Sequence, residues 1–166
     1  MSNKKPTSVL VDTSFLIALY DDKYPNHMTA KKYYKYCLDH SITLYISTIV
    51  VSEFHQGQPI TDIIASGDYR LLPFNFDDAI STADSAYQLG GLDRRGQTAA
   101  KCKDDLKLIG QAKNNEVDFI ITEDVTTLYR YCERLNGANL LNTKPIALKD
   151  GFDPSWFNNG QASLIK

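Results

Sequence analysis

Four acidic residues stand where a folded chain could use them for chemistry: Asp12, Glu53, Asp105 and Asp124. Asp12 closes the apolar run Val9-Leu10-Val11, and Asp124 follows Asp118-Phe119-Ile120-Ile121-Thr122-Glu123. Glu53 sits among Ile49, Val50, Val51 and Phe54, while Asp105, with Asp104 beside it, opens a segment carrying Leu106, Leu108, Ile109 and Ala112. An acid in apolar company is costly unless it is paired or metal-bound. Carboxylates gathered about 6 Å apart repel by roughly 3 kcal/mol per pair at an effective dielectric near 20, and a divalent cation removes that strain. Mg²⁺ or Mn²⁺ takes oxygen ligands, keeps several waters and leaves positions for phosphate oxygens. No cysteine or histidine cluster lies nearby, so zinc fits less well. Each acid alone also has a plain explanation. Asp12 can simply end a strand, Glu53 can point outward between two inward residues, and Asp104 and Asp105 suit the positive end of a helix.

These acids need a frame that brings them together. The run 9–11 is short enough for a buried strand, and Thr13 or Ser14 can cap a helix that carries Phe15, Leu16 and Leu19 inward. Such a turn places Asp12 at the carboxyl edge of a sheet, where open α/β folds bind ligands. A helix is expected over 25–40, with Pro25 in its first turn and Ala30, Tyr33, Tyr34 and Cys37 on one face. Lys31, Lys32 and Lys35 lie largely elsewhere around it, either solvating its outer face or contacting phosphate. A strand over 43–46 leads to a helix capped by Ser47 or Thr48 that stops near Gly57 and Pro59.

The second half repeats this alternation. A short helix over 60–66 closes at Gly67, and a strand-like stretch covers 69–74. Asp77 or Asp78 then begins a helix that Gly90-Gly91 should end. Beyond the helix opened by Asp104 and Asp105, residues 117–122 read as a buried strand, 126–135 as a helix, and 145–148 as an edge strand led by Pro145. Strands alternating with helices, without repeats, predict a three-layer α/β fold with a mainly parallel central sheet flanked by helices. Strand order is not readable. In a parallel sheet Asp12 and Asp124 share one edge, and helix starts can bring in the other two acids.

At 166 residues the chain fits one domain, expected over 1–149, with a tail over 150–166 that packs Trp156 on the domain or on a partner. A net charge of −2 gives no general pull toward polyanions, so nucleic-acid binding would need a local basic patch or bound cations. The densest basic stretch is Arg94, Arg95, Lys101 and Lys103, which either holds RNA phosphates or is a solvated loop. Lys4 and Lys5 precede an apolar run, but Asp12 interrupts it and no signal-peptide cleavage pattern follows. No segment approaches the ~20 apolar residues that span a bilayer. Three scattered cysteines, Cys37, Cys102 and Cys132, argue against a disulfide scaffold and place the chain in a reducing cytoplasm.

Taken in order, Val-Asp-Thr-Ser at Asp12, Ser-Glu-Phe at Glu53, Asp-Leu-Lys-Leu-Ile-Gly-Gln-Ala from Asp105, and Ile-Ile-Thr-Glu-Asp ending at Asp124 resemble the PIN-domain nucleases. That family includes the toxin ribonucleases of bacterial VapBC toxin–antitoxin pairs. The resemblance runs from Val9 to about Leu128. It implies a Mg²⁺- or Mn²⁺-dependent endoribonuclease with Asp12, Glu53, Asp105 and Asp124 as the acidic metal site. Asp12 and Asp124 are then the principal ligands, and Ser14 and Thr122 the small hydroxyl residues that support them. Asp104 is the alternative to Asp105, whose distance to Ala112 fits the family helix better. An RNA substrate, an antitoxin partner and a homodimer are implied by the same resemblance. Two stretches depart from the family pattern: 90–103 is longer and more basic than the usual linker, and the chain beyond Lys144 is not a family feature. The same acids suit a housekeeping RNA-processing nuclease, and a catalytically silent PIN-like binding domain is the alternative of another class. A haloacid-dehalogenase phosphatase or a receiver domain fits poorly, because Thr13 and Ser14 stand where those folds want acids.

Overall fold

The computed structural model describes residues 7–92 and 103–158. The strands are β1 (Ser8–Val11), β2 (Thr43–Ser47), β3 (Tyr69–Leu72), β4 (Phe119–Thr122) and β5 (Lys144–Ala147). They form a single all-parallel sheet in the order β3-β2-β1-β4-β5. Val9, Leu10, Val11, Ile120 and Ile121 are fully buried, as expected of central strands covered on both faces. The helices are α1 (Thr13–Tyr20), α2 (His27–Asp39), α3 (Thr48–Gly57), α4 (Thr61–Ala65), α5 (Phe76–Leu92), α6 (Lys103–Asn114) and α7 (Leu128–Gly137). This is the expected three-layer architecture, now with its strand order.

From β1 the chain steps to β2 on one side, and β4 lies on the other, so β1 and β4 flank the point where strand order reverses. Crevices for ligands open at the carboxyl ends of strands there. At the opposite end of this pair, Asp118 accepts from the backbone N–H of Thr7 at 2.8 Å and of Ser8 at 3.0 Å, and from the Ser8 hydroxyl at 3.0 Å. That clasp agrees with the register Val9↔Phe119 and Val11↔Ile121, which sets Asp12 level with Thr122.

Several local expectations change in the folded chain. Asp12 itself, rather than Thr13 or Ser14, caps α1, because its carboxylate receives the Phe15 N–H at 2.8 Å. For α5 the start is set by Asn75 and Asp78, which exchange side-chain-to-backbone bonds of 3.0 and 2.9 Å in a capping box. That helix runs through Gly90-Gly91 instead of ending there. In the tail Trp156 packs edge-on against Phe119 of the domain, and Phe157 beside it is set deeper. Phe157 is fully buried against Tyr33, Tyr36 and Phe119, while Trp156 stays 37% exposed. Gly151, at φ +82°, makes the turn that leads the tail back, and its carbonyl accepts from the Tyr33 hydroxyl at 3.2 Å.

The α5–α6 pair is clamped by Asp78, which accepts from the side-chain amides of Asn114 and Asn115 at 2.8 and 2.9 Å. The crossing is so close that a Cβ on Gly110 would lie 2.3 Å from Thr82 Oγ1 and 2.5 Å from its backbone N and Cα. Backbone atoms cannot swing aside as a long side chain can. Gly110→Ala should therefore force the helices apart at a cost of about 1–3 kcal/mol, read as a lower urea midpoint. An unchanged midpoint would show that the crossing is looser than described.

Candidate active site

Asp12 leaves β1 in extended conformation and is 6% exposed. Its Oδ1 receives the Phe15 N–H at 2.8 Å and the Ser14 hydroxyl at 2.7 Å, and its Oδ2 receives the Thr122 hydroxyl. Those two hydroxyls are themselves held. The backbone N–H of Glu123 donates to Ser14 Oγ and that of Asp124 to Thr122 Oγ1, each at 2.9 Å. The turn after β4 and the turn after β1 are thus tied through one carboxylate. Burial pushes the Asp12 carboxyl up to about 6 although three hydrogen bonds oppose it, and the nearby Asp105 charge pushes the same way.

Glu53 is carried on α3, whose start is capped by Ser47 accepting from the Ile49 N–H at 3.1 Å. The Thr13 hydroxyl donates to Glu53 Oε2 at 2.9 Å. Burial raises the Glu53 carboxyl above its usual range and Asp104 adds to this, while Thr13 and Lys107 oppose. Asp105 stands in the first turn of α6. Burial raises its carboxyl to about 6 against the pull of the Thr127 hydroxyl, and the charges of Asp124, Glu53 and Asp104 reinforce the rise. Its neighbour Asp104 turns to the surface and pairs with Lys107 at 3.0 Å.

Asp124 behaves in the opposite way. Burial alone would raise it, but the hydroxyl and N–H of both Thr127 and Thr126 converge on its two oxygens and hold it below the usual range. Asp105 therefore touches the field of every other acid, and Asp12, Glu53 and Asp124 surround it electrostatically. Arg94, Arg95, Lys101 and the side chain of Lys103 lie outside the described residues. Two groups at the site escaped sequence reasoning. Glu123 turns aside to accept from Asn26 Nδ2 at 2.7 Å, and Thr127 stands between Asp105 and Asp124. The signal for Thr127 was Asp-Val-Thr-Thr, the pattern of a carboxylate that folds back on the N–H groups two and three residues ahead.

Among the described residues, no group of three or more His, Cys, Asp or Glu side chains is placed to hold one ion. The donor set still suits a hard cation that stays largely hydrated, because Mg²⁺ is commonly bound through one or two carboxylates and completes its shell with water and phosphate. Asp105 Oδ2 and Asp124 Oδ2 both contact the Thr127 hydroxyl. Two such contacts keep the carboxylate oxygens within roughly 6 Å, against about 4 Å across a Mg²⁺ ion.

No protein-family model matches the chain, and no curated protein matches its sequence. Solved structures do match its fold. VapBC-1 from nontypeable Haemophilus influenzae superposes with a TM-score of 0.59 at 16% identity, over 86% of this chain and 99% of that one. DNA-bound VapBC from Salmonella typhimurium gives 0.57 at 17% identity, over 84% and 98%. VapBC2 from Rickettsia felis, bound to a DNA fragment from their promoter, gives 0.56 at 13% identity, over 85% and 98%.

Proposed function

We propose that this chain, whose fold is the PIN-like fold of the VapC type, is a divalent-metal-dependent endoribonuclease that hydrolyses RNA phosphodiester bonds as the toxin of a toxin–antitoxin pair. The observation that supports this most is that Asp105 of α6 and Asp124 after β4 meet at one hydroxyl, at the edge where strand order reverses and Asp12 ends β1. Mg²⁺ or Mn²⁺ there would polarise the scissile phosphate and make an attacking water more acidic. Asp105 and Asp124, joined through the Thr127 hydroxyl, are the residues that would hold it, with Asp12 and Glu53 reaching it through water. The hydroxyls of Ser14 and Thr122 fix the Asp12 carboxylate in one orientation, so no reorganisation is needed when substrate arrives. Glu53, half-buried and held by one hydroxyl, is the acid freest to reorient and take a proton from water.

The test is cleavage of defined single-stranded and hairpin RNAs by the purified chain with Mg²⁺ or Mn²⁺, and again with excess chelator. Cleavage that chelator stops and added metal restores is expected. Undiminished cleavage in chelator would overturn the metal reading, and no cleavage of any RNA would favour the silent binding domain, which the absence of a three-carboxylate group among the described residues also favours.

The antitoxin is the partner we assign to a groove of about 590 Å³ beside α2. Leu19, Met28 and Leu38 line it together with Lys31, Lys32 and Lys35, the last of which pairs with Asp39, which suits an apolar segment bearing acids. Phe76, Ile80 and Tyr87 of α5, exposed at 76%, 50% and 86%, share one helical face. The homodimer belongs to the same proposal and would cover that stripe. Among the described residues no helix is long and apolar enough to cross a membrane, and Cys37 and Cys132 are buried free thiols, which suits the cytoplasm we assign.

A further inference from the structure

Thr127 occupies the position that caps α7, yet its side chain makes no capping hydrogen bond. Asp124 serves the turn into that helix, its Oδ1 receiving the Thr126 and Thr127 N–H groups at 2.9 and 3.0 Å and its carbonyl the Tyr129 N–H at 3.1 Å, so the Thr127 side chain is not needed there. Instead its hydroxyl turns the other way. Thr127 Oγ1 lies 2.6 Å from Asp105 Oδ2 and contacts Asp124 Oδ2, while its own N–H donates to Asp124 Oδ1 at 3.0 Å. A hydroxyl carries one proton, so it can donate to only one of the two carboxylates at a time. The two acids come from different elements, α6 and the turn after β4, and among the described contacts Thr127 is the side chain that touches both.

We propose that Thr127 is the positioning residue of the carboxylate site, holding Asp105 and Asp124 at the separation a hydrated divalent cation spans. The inference rests on the metal-dependent reading given above. Its mark is a single hydroxyl in contact with a carboxylate oxygen of each acid. A cation bound there would be held by Asp105 and Asp124, whose carboxylates the Thr127 hydroxyl keeps close to one another. Groups that orient metal ligands in this way typically contribute tenfold to a hundredfold in affinity.

Calorimetric titration of Mn²⁺ into the full chain, with thermal unfolding recorded alongside, tests this. Thr127→Val keeps the branched shape and loses only the hydroxyl, and it should bind Mn²⁺ roughly 10- to 100-fold more weakly than wild type. Thr127→Ser keeps the hydroxyl and should restore affinity. Equal affinity in wild type and Thr127→Val would overturn the positioning role while leaving the metal site intact. Wild type that takes up no Mn²⁺ would overturn the metal reading and this inference with it. If Thr127→Val does not fold, Thr127→Ala is judged by the same comparison with Thr127→Ser.

Discussion

Asp12→Asn should reduce RNA cleavage by about a thousandfold or more and, at pH 7.5 without metal, make the protein more stable. The two effects have opposite signs for one reason. A carboxylate at 6% exposure, with its carboxyl raised from 3.8 to about 6, is held ionised at neutral pH against the preference of its surroundings. That costs the folded state roughly 3 kcal/mol. Asparagine caps a helix about as well as aspartate, so the Phe15 N–H keeps its acceptor, and the Ser14 and Thr122 hydroxyls can turn to meet an amide. What is lost is the negative charge that would hold a cation, and the charge stabilisation a metal ion supplies is several kcal/mol, hence the thousandfold figure. Cleavage assays and thermal melts on the same preparation check both halves. A variant that is inactive because it is unfolded, or one that is stable and fully active, would contradict the account.

Lowering the pH of the metal-free protein from 7.5 toward 4.5 should raise its stability, and saturating Mn²⁺ should abolish the rise. Asp12 and Asp105 both have folded-state carboxyls near 6, above the unfolded value of 3.8. Between these values the folded chain binds more protons than the unfolded one, so stability falls as pH rises through the window. Glu53 is shifted in the same direction, whereas Asp124 is lowered and begins to oppose only as the pH falls toward 4. Down to pH 4.5 Asp12 alone contributes about 2 kcal/mol, which corresponds to roughly 4–8 °C in melting temperature for a chain of this size. Melts across the range, repeated on Asp12→Asn, isolate its share as the difference in slope. A melting temperature that falls steadily below pH 7 in the metal-free wild type, with the same slope in the variant, would show that these acids are not strained.

Much of the positioning was legible because it follows from short-range patterning. Val9-Leu10-Val11 followed by a carboxylate and hydroxyl residues can hardly be anything but a strand entering a helix, and the same holds for Phe119 to Asp124. What was hidden depends on contacts across the chain. The strand order that seats β1 beside β4 comes from the packing of whole layers and from the Asp118 clasp, and no local signal carries it. Gly90-Gly91 reads as a helix end, yet helix propensity is a weak prior and the helix is described as far as Leu92. Trp156 was expected to pack on the domain and does so against Phe119, while Phe157, with no polar atom to satisfy, takes the drier position among Tyr33, Tyr36 and Phe119. Thr127 was legible only in part, since Asp-Val-Thr-Thr signals a turn folded back on Asp124 and nothing local points to Asp105. Its sequence context says helix start, and only the fold shows that its hydroxyl faces away from that helix.

The most direct measurement is the anomalous scattering of Mn²⁺ soaked into crystals of the wild-type chain. The account expects a peak at roughly 2.1–2.2 Å from carboxylate oxygens of Asp105 and of Asp124, with water filling the rest of the shell. Manganese ordered elsewhere on the molecule, with no peak beside these acids at saturating concentration, would contradict it.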